Sequence, residues 1–478
     1  MPNPFLPLNE YIPDGEPHVF QDRIYLYGSH DQADGKRFCT QDYVVYSAAI
    51  DDLKNWECKG ISYRKDQDPR SRKEKSVDLY APDCVRGNDG RYYLYYFAAG
   101  PNTRPFGSMS VAVSDRPDGP FEYLHDICYE NGEAVLDYLT NDPAVINDDG
   151  KIYLYYGWGL GRDFSDPLLK PLYDRVLNRL TNRTLKQIRE CKPSILSCAV
   201  VELKEDMYTV RTGPKAVLDS KTTADRYSKL YHHAFYEAPS IRKIQDTYYL
   251  IYSSGENNEL AYATSKYPDK NFEYRGVIIS NSDLGYKGNR KAMNNAGTIH
   301  GSIEQINGQW YVFYHRCTNN TDFSRQACVE PITINPDGSI DQVEMTSLGF
   351  DDILKAEGEI SAGYCCNLVT KNRIRLGTGR QQKLPRITQT DDRVVVKDLT
   401  AGTKVILKYF DFSLQVRMKI DMSGNALIRS NGSFPDEKGY YHLKGNGHDA
   451  LEIEIVKGKT EIRSFRFFPE DSSFSKTI

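Results

Sequence analysis

The chain has 478 residues, more than a single hydrophobic core usually holds, so two domains are expected. Lys and Arg number 61 against 65 Asp and Glu, a net charge of −4 with no basic stripe, which excludes nucleic acid and anionic membrane surfaces as partners. Aromatic residues make up 12%, mostly Tyr (35) rather than Trp (3), a composition suited to packing between sheets and to sugar-ring stacking.

The chain opens MPNPFLPLNEY, with no basic leader and no apolar leader segment, and no apolar run reaches membrane-spanning length. A cytoplasmic protein is expected if Met1 is the native start and no signal peptide has been removed. The ten cysteines show no CxxC or His-spaced zinc pattern and read as reduced thiols. Alternation in a strand would point the vicinal pair Cys365 and Cys366 to opposite faces.

In chain order, one phrase returns five times: QDRIYLYG at Tyr25, NDGRYYLYY at Tyr93, DDGKIYLYYG at Tyr153, QDTYYLIY at Tyr249 and NGQWYVFYH at Tyr311. Each is a tight turn followed by an alternating aromatic run, the pattern of a β-hairpin. Counting back 11, 10, 11, 12 and 11 residues from those tyrosines lands on Asp14, Asp83, Asp142, Glu237 and His300. Hairpins spaced by 68, 60, 96 and 62 residues are blade-sized. In a β-propeller the first strand of each blade lines the central channel, so equivalent positions on those strands converge at one end of it. A helix-like stretch around 175–192 falls in the longest gap, as an insertion on the third blade over the channel rim. Past Tyr311 comes a closing strand and hairpin, with a domain boundary near 345–352. Beyond it, period-two segments such as KVILKYFDFSLQVRMKI and ALEIEIVKG predict an antiparallel β-sandwich. The fold class is all-β: a five-bladed propeller over 1–347 and a β-sandwich over 352–478.

The segments LNEYIPDGEPHVFQDRIYLYGSHD, DLYAPDCVRGNDGRYYLYY, TNDPAVINDDGKIYLYYG, FYEAPSIRKIQDTYYLIYSSG and HGSIEQINGQWYVFYHR resemble the successive blade signatures of glycoside hydrolase family 43. That resemblance implies an inverting glycosidase with Asp14 as general base, Glu237 as general acid and Asp142 as the carboxylate that raises the Glu237 pKa. Inversion needs the base and acid about 6.5–9.5 Å apart so that water fits between them. Glu16 and Asp22 are nearby competitors of Asp14, but neither carries the repeat offset. Asp83 has the offset without a catalytic role in the family and reads as lining the pocket or bonding the backbone. The resemblance places His300 against a central water or calcium, Arg325 against the sugar hydroxyls with a surface ion pair as the plain alternative, and Tyr80 where relatives carry a tryptophan. The stretch LKAEGEISAGYCCNLV resembles the opening of a family 6 carbohydrate-binding module, which makes Glu357 a candidate calcium ligand. Tyr364, Tyr409 and Tyr440 could stack on sugar or sit in the core.

No cofactor is required for such chemistry; a structural calcium is the only candidate. The expected partner is an oligosaccharide, and the oligomeric state stays open. The expected activity is exo-acting release of terminal arabinose or xylose, by an α-L-arabinofuranosidase, a β-D-xylosidase or both. An endo-arabinanase or β-galactofuranosidase of the same family, and a non-catalytic glycan-binding propeller, are the alternatives. Retaining fructan enzymes carry Asn-Asp-Pro in the first blade, whereas here it stands in the third, at Asn141–Pro143. The loops 31–40, 64–76 and 163–189 around the channel mouth set specificity and carry no readable code.

Overall fold

In the computed structural model, residues 2–74, 77–100, 107–181, 183–255, 258–295, 297–371, 384–390 and 393–469 are described. The recurring phrase forms the inner hairpin of each of five antiparallel sheets. Blade one is β1 (Glu16–Phe20), β2 (Arg23–Tyr27), β3 (Tyr43–Ala49) and β4 (Glu57–Tyr63). Blade two is β5 (Asp78–Arg86), β6 (Tyr92–Ala99), β7 (Met109–Ser114) and β8 (Glu122–Asp126). Blade three is β9 (Ala144–Asp148), β10 (Lys151–Gly157), β11 (Ser197–Leu203) and β12 (Val210–Asp219). Blade four is β13 (Phe235–Ile244), β14 (Thr247–Ser254), β15 (Glu259–Ser265) and β16 (Glu273–Ser280). Blade five has three strands among the described residues, β17 (Ser302–Ile306), β18 (Gln309–Cys317) and β19 (Arg325–Ile332). Separate apolar clusters fill the spaces between blades, which is where most of the tyrosines go: Tyr95 and Tyr156 share one, Tyr155 and Tyr252 the next.

The open edge of blade five is closed by a side chain. The Asn3 carboxamide accepts from the Val329 amide at 2.9 Å and donates to the Val329 carbonyl at 2.8 Å, copying the two bonds a fourth strand would make. Phe5 follows into the core, edge-on to Phe313 and Phe350.

The helical insertion lies between β10 and β11 as two helices, α1 (Lys170–Leu180) and α2 (Leu185–Glu190), with a further short helix, α3 (Lys229–His232), before blade four. Leu177 and Ile188 pack on Leu139, Ile195 and Leu196, with Trp158 against them. The insertion thus buttresses the channel mouth rather than hanging free.

The C-terminal strands β20 (Gly358–Ser361), β21 (Asn367–Val369), β22 (Arg386–Gln389), β23 (Val394–Thr400), β24 (Lys404–Phe410), β25 (Val416–Ser430), β26 (Tyr441–Leu443) and β27 (Asp449–Pro469) are all antiparallel. They fold around a second core that runs from Leu354 to Phe467. Residues 470–478 of the expected sandwich lie outside the described residues. Cys365 closes a short 3-10 turn and enters this C-terminal core, while Cys366 enters a propeller core, so the two thiols do part to opposite sides.

Candidate active site

The strands of the channel bring Asp14, Asp142, Glu237 and His300 to one cavity of about 280 Å³. The backbone turns sharply at each acid: Asp14 has φ 59°, Asp142 φ 46°, and Ala238, next to Glu237, φ 61°. Left-handed backbone at a non-glycine residue costs on the order of 1 kcal/mol or more and aims the preceding or carried side chain into the channel. At the fifth blade the backbone is not left-handed; there Gly301, after His300, lets the chain pass close to β18, where a Cβ would stand 1.9 Å from the Phe313 carbonyl oxygen.

Asp83 does not share this level. The tyrosines of the repeated phrase pair with His18, Val85, Ile146, Arg242 and Glu304, and four residues before three of these stand Asp14, Asp142 and His300. In blade four, four residues back is Ala238, beside Glu237, and in blade two it is Ala81. Asp83 instead stands two residues before its pairing position, level with Glu16, Ser240 and Ser302. Four hairpins have two-residue turns, whereas blade two spends Gly87–Arg91 on its turn, and those extra residues displaced the count. Asp83 is fully buried and bonds the Cys84 and Val145 amides at 2.7 Å each and His18 Nε2 at 2.6 Å. Its role is in the backbone, not the pocket.

Burial alone would raise the Asp14 carboxyl, but the Arg325 guanidinium, with Nη1 at 2.7 Å, holds it below the usual carboxylate range. His315 fixes the Asp14 backbone: its Nδ1 accepts the Asp14 amide at 3.3 Å and its Nε2 donates to the Thr298 carbonyl at 3.0 Å. Burial lowers His300 to about 4 and His315 to about 3, so both imidazoles are neutral at physiological pH.

Glu237 is raised to about 7, first by burial and then by the Asp14 charge, against a hydrogen bond from Trp158. Asp142 is raised well above the ordinary aspartate value, by burial and by Glu237. Near neutral pH Glu237 can therefore carry the proton that it gives up. A buried acid able to give up a proton and a buried carboxylate that stays ionised thus line one pocket, the combination that glycosidic hydrolysis needs.

Arg325, 4% exposed, lines the cavity but is largely committed to protein. Besides Asp14 it forks onto Asp31, Nε to Oδ2 at 2.8 Å and Nη2 to Oδ1 at 3.0 Å, and its guanidinium lies 4.8 Å from the Phe38 ring centre. The expected surface ion pair is therefore a buried one, and sugar contact is left to the remaining Nη1 proton. Tyr80 lines the cavity, with its ring 5.7 Å from that of Phe97. Asp31, Phe38, Trp158 and His315 were not singled out in the sequence. His315 and Asp31 do follow the repeated phrase closely, in FYHR and YGSHD, which is the one signal they offer.

Deeper in the channel, Glu16 Oε2 accepts from Ser240 at 3.0 Å and Arg242 at 3.2 Å, while Glu16 Oε1 and His300 Nε2 are buried without hydrogen-bond partners, 4.0 Å apart. Two open donor atoms facing each other fit a cation held mainly by water. Glu16, His18 and Asp83 are the one cluster of metal-ligand side chains among the described residues, and Arg242 and the backbone amides already neutralise it. Glu357 is 65% exposed with Lys355 at 3.8 Å, and among the described residues no cluster of three or more His, Cys, Asp or Glu side chains includes it.

Residues 2–340 match the model of glycosyl hydrolases family 43. The chain is 41% identical over 439 residues to a xylosidase/arabinosidase of Thermoclostridium stercorarium, covering 88% of this chain and 85% of that protein. It is 29% identical over 352 residues to a β-xylosidase of Xylanibacter ruminicola, covering 70% and 98%. Among solved structures, a family 43 β-xylosidase/α-arabinofuranosidase from a compost metagenome, in complex with xylotriose, aligns with TM-score 0.52 and 27% identity over 71% of this chain and 97% of that one. An arabinoxylan arabinofuranohydrolase of Bacillus subtilis aligns over 98% of this chain and 97% of its own at 18% identity, TM-score 0.50, which shows a shared fold through the C-terminal sheet.

Proposed function

This chain belongs to glycosyl hydrolase family 43, and on that premise we propose that it is an inverting exo-glycosidase releasing terminal β-D-xylose, α-L-arabinofuranose or both from short oligosaccharides. The observation that carries the reading is the juxtaposition of an ionised Asp14 and a proton-bearing Glu237 in a cavity of about 280 Å³. That volume suits one pentose ring, and Phe38, Tyr80, Phe97 and Trp158 wall it off, which supports exo-action. Asp14 takes a proton from water as the oxygen attacks the anomeric carbon; Glu237 gives its proton to the departing glycosidic oxygen as that bond breaks. Once the products leave, Asp14 returns its proton to solvent and Glu237 takes one up from it, with the Asp142 carboxyl beside Glu237 favouring that return. Similarity to the xylosidase/arabinosidase of T. stercorarium supports the choice of pentoses.

The C-terminal sheet we read as a carbohydrate-binding-module-like sandwich that acts as a support. Tyr409 is spent on Glu344, at 2.6 Å, and on His448, and Tyr364 packs against the sandwich core, which favours support over sugar stacking. A hydrated calcium between His300 and Glu16 would be structural, tying blade one to blade five.

The test follows nitrophenyl α-L-arabinofuranoside, nitrophenyl β-D-xylopyranoside and xylobiose by proton NMR. Inverted pentose is expected from at least one aryl substrate. Glu237→Gln should cost about 10²–10⁴-fold on xylobiose and far less on the nitrophenyl glycosides, whose leaving group needs no proton. Retained anomer, or no turnover by folded protein, would sink the reading.

A further inference from the structure

Loops at the rim of a propeller ordinarily run in water. The loop between β18 and β19, Thr318–Ser324, is buried along its whole length, none of its residues more than 7% exposed. The C-terminal sandwich covers it. The Asn319 amide donates to the Ile387 carbonyl at 2.9 Å and Asn320 Nδ2 to the Leu384 carbonyl at 2.7 Å, on and just before β22. Buried polar groups require such partners, and both asparagines hold left-handed backbone, φ 58° and 52°, which persists only when neighbours enforce it. At the foot of the loop Arg316, 5% exposed, donates to the carbonyls of Gly363 at 2.6 Å and Cys365 at 2.7 Å.

The other side of the same loop builds the active-site wall. Asp322 Oδ1 accepts the Thr298 amide at 3.3 Å, two residues before His300. The Phe323 ring stands edge-on to Phe38 at 4.6 Å, and Phe38 covers Arg325. Thr298, Phe38 and Arg325 all line the cavity.

We propose that the β22 edge of the C-terminal sandwich is a positioning element of the active site: through the Leu384 and Ile387 carbonyls it holds Asn319 and Asn320, and so sets Asp322, Phe323 and the wall of the sugar pocket. The glycosidase reading supplies the kinetic readout only. The bonds that β22 gives the two asparagines come from main-chain carbonyls, while its Ile387 side chain is held in the C-terminal core and so fixes the edge in place.

The test uses the full chain with Asn320→Ala and with Asn320→Gly, which suits the left-handed backbone and removes only the amide. Because misplacing a pocket wall by about 1 Å can cost up to about 100-fold, a loss of about tenfold in kcat/KM on the cleaved nitrophenyl pentoside is expected. Glu237 is faced by Asp14, Asp142, Arg325, Asp322 and the Trp158 indole. Moving Asp322 away removes one negative charge, so on xylobiose, whose leaving group needs the Glu237 proton, the alkaline limb of kcat/KM should shift to lower pH while the acid limb, set by Asp14, stays. Variants that fold with lowered Tm yet keep wild-type kcat, KM and both limbs would overturn the proposal. If the wild-type chain cleaves neither pentoside, amide hydrogen exchange decides: faster exchange at Thr298 in both variants supports the proposal, and unchanged protection there rejects it.

Discussion

At the residue scale the site turns on one guanidinium. Arg325 binds Asp14 and Asp31 together, and the charge it supplies offsets the burial that would otherwise raise Asp14. The acid limb of kcat/KM reports the Asp14 ionisation. Replacing Arg325 by Met leaves burial unopposed, so Asp14 rises and the limb should move up by about 1–3 pH units, the usual effect of a neighbouring opposite charge. Below that limb the base is protonated and activity is lost. Removing one partner from a buried ion pair costs about 3–5 kcal/mol, so the variant is also expected to melt lower. Arg325→Lys keeps the charge without the fork; it should hold the acid limb near its wild-type position while losing kcat/KM, since a point charge cannot orient both carboxylates. A limb that stays in place in Arg325→Met would show that another group keeps Asp14 ionised.

At the element scale, closure of the propeller rests on Asn3. Its carboxamide meets four groups, the Val329 amide and carbonyl, Glu330 Oε1 at 3.0 Å and the Thr346 carbonyl at 3.2 Å, all in a buried setting. Asn3→Ala leaves the Val329 amide and carbonyl without partners, and at about 1–3 kcal/mol for each such group a loss of about 3 kcal/mol is expected. Urea unfolding should show a lower midpoint at an unchanged slope, with kcat of the folded fraction intact; a midpoint within error of wild type would refute the clasp. The same scale explains what could be read beforehand. The blades, the channel acids and the helical insertion are local, repeated patterns and were legible from periodicity and offset. Asp83 was misplaced because a longer turn changes the register without altering the motif. Asp31 and Phe38 reach Arg325 only after closure brings blade one against blade five, some 290 residues apart in sequence, and no local pattern encodes that meeting. The anchors of the blade-five loop are main-chain carbonyls, which leave no mark in the sequence at all.

At the scale of the whole molecule, the propeller and the β-rich C-terminal domain are joined by buried charge as well as by apolar packing. Lys408 of β24 lies 2.9 Å from Glu344 and 3.6 Å from Asp283, which is 3% exposed and also accepts from Asn367 at 2.8 Å and from the Met345 amide at 2.7 Å. Beside these pairs the Ser347 amide donates to the Lys408 carbonyl at 2.8 Å, and the Lys408 amide donates to the Ser347 hydroxyl oxygen at 3.2 Å. An interface of this kind couples the two cores, so the wild-type chain should unfold in a single calorimetric transition. Lys408→Met leaves the buried Asp283 carboxylate without its counter-charge and should cost about 3–5 kcal/mol, dividing the transition in two. The pH dependence has a definite sign. Burial already raises the Asp283 carboxyl, and loss of the lysine raises it further. A carboxyl whose folded pKa lies above its unfolded value stabilises the fold at low pH and loses that contribution as pH rises through the interval between the two. The deficit of Lys408→Met should therefore shrink as the solution is taken from pH 8 toward pH 5, and adding Asp283→Asn should recover part of it at pH 8. A deficit that is flat with pH would mean that Lys408 acts through its aliphatic stem and its backbone, not through its charge.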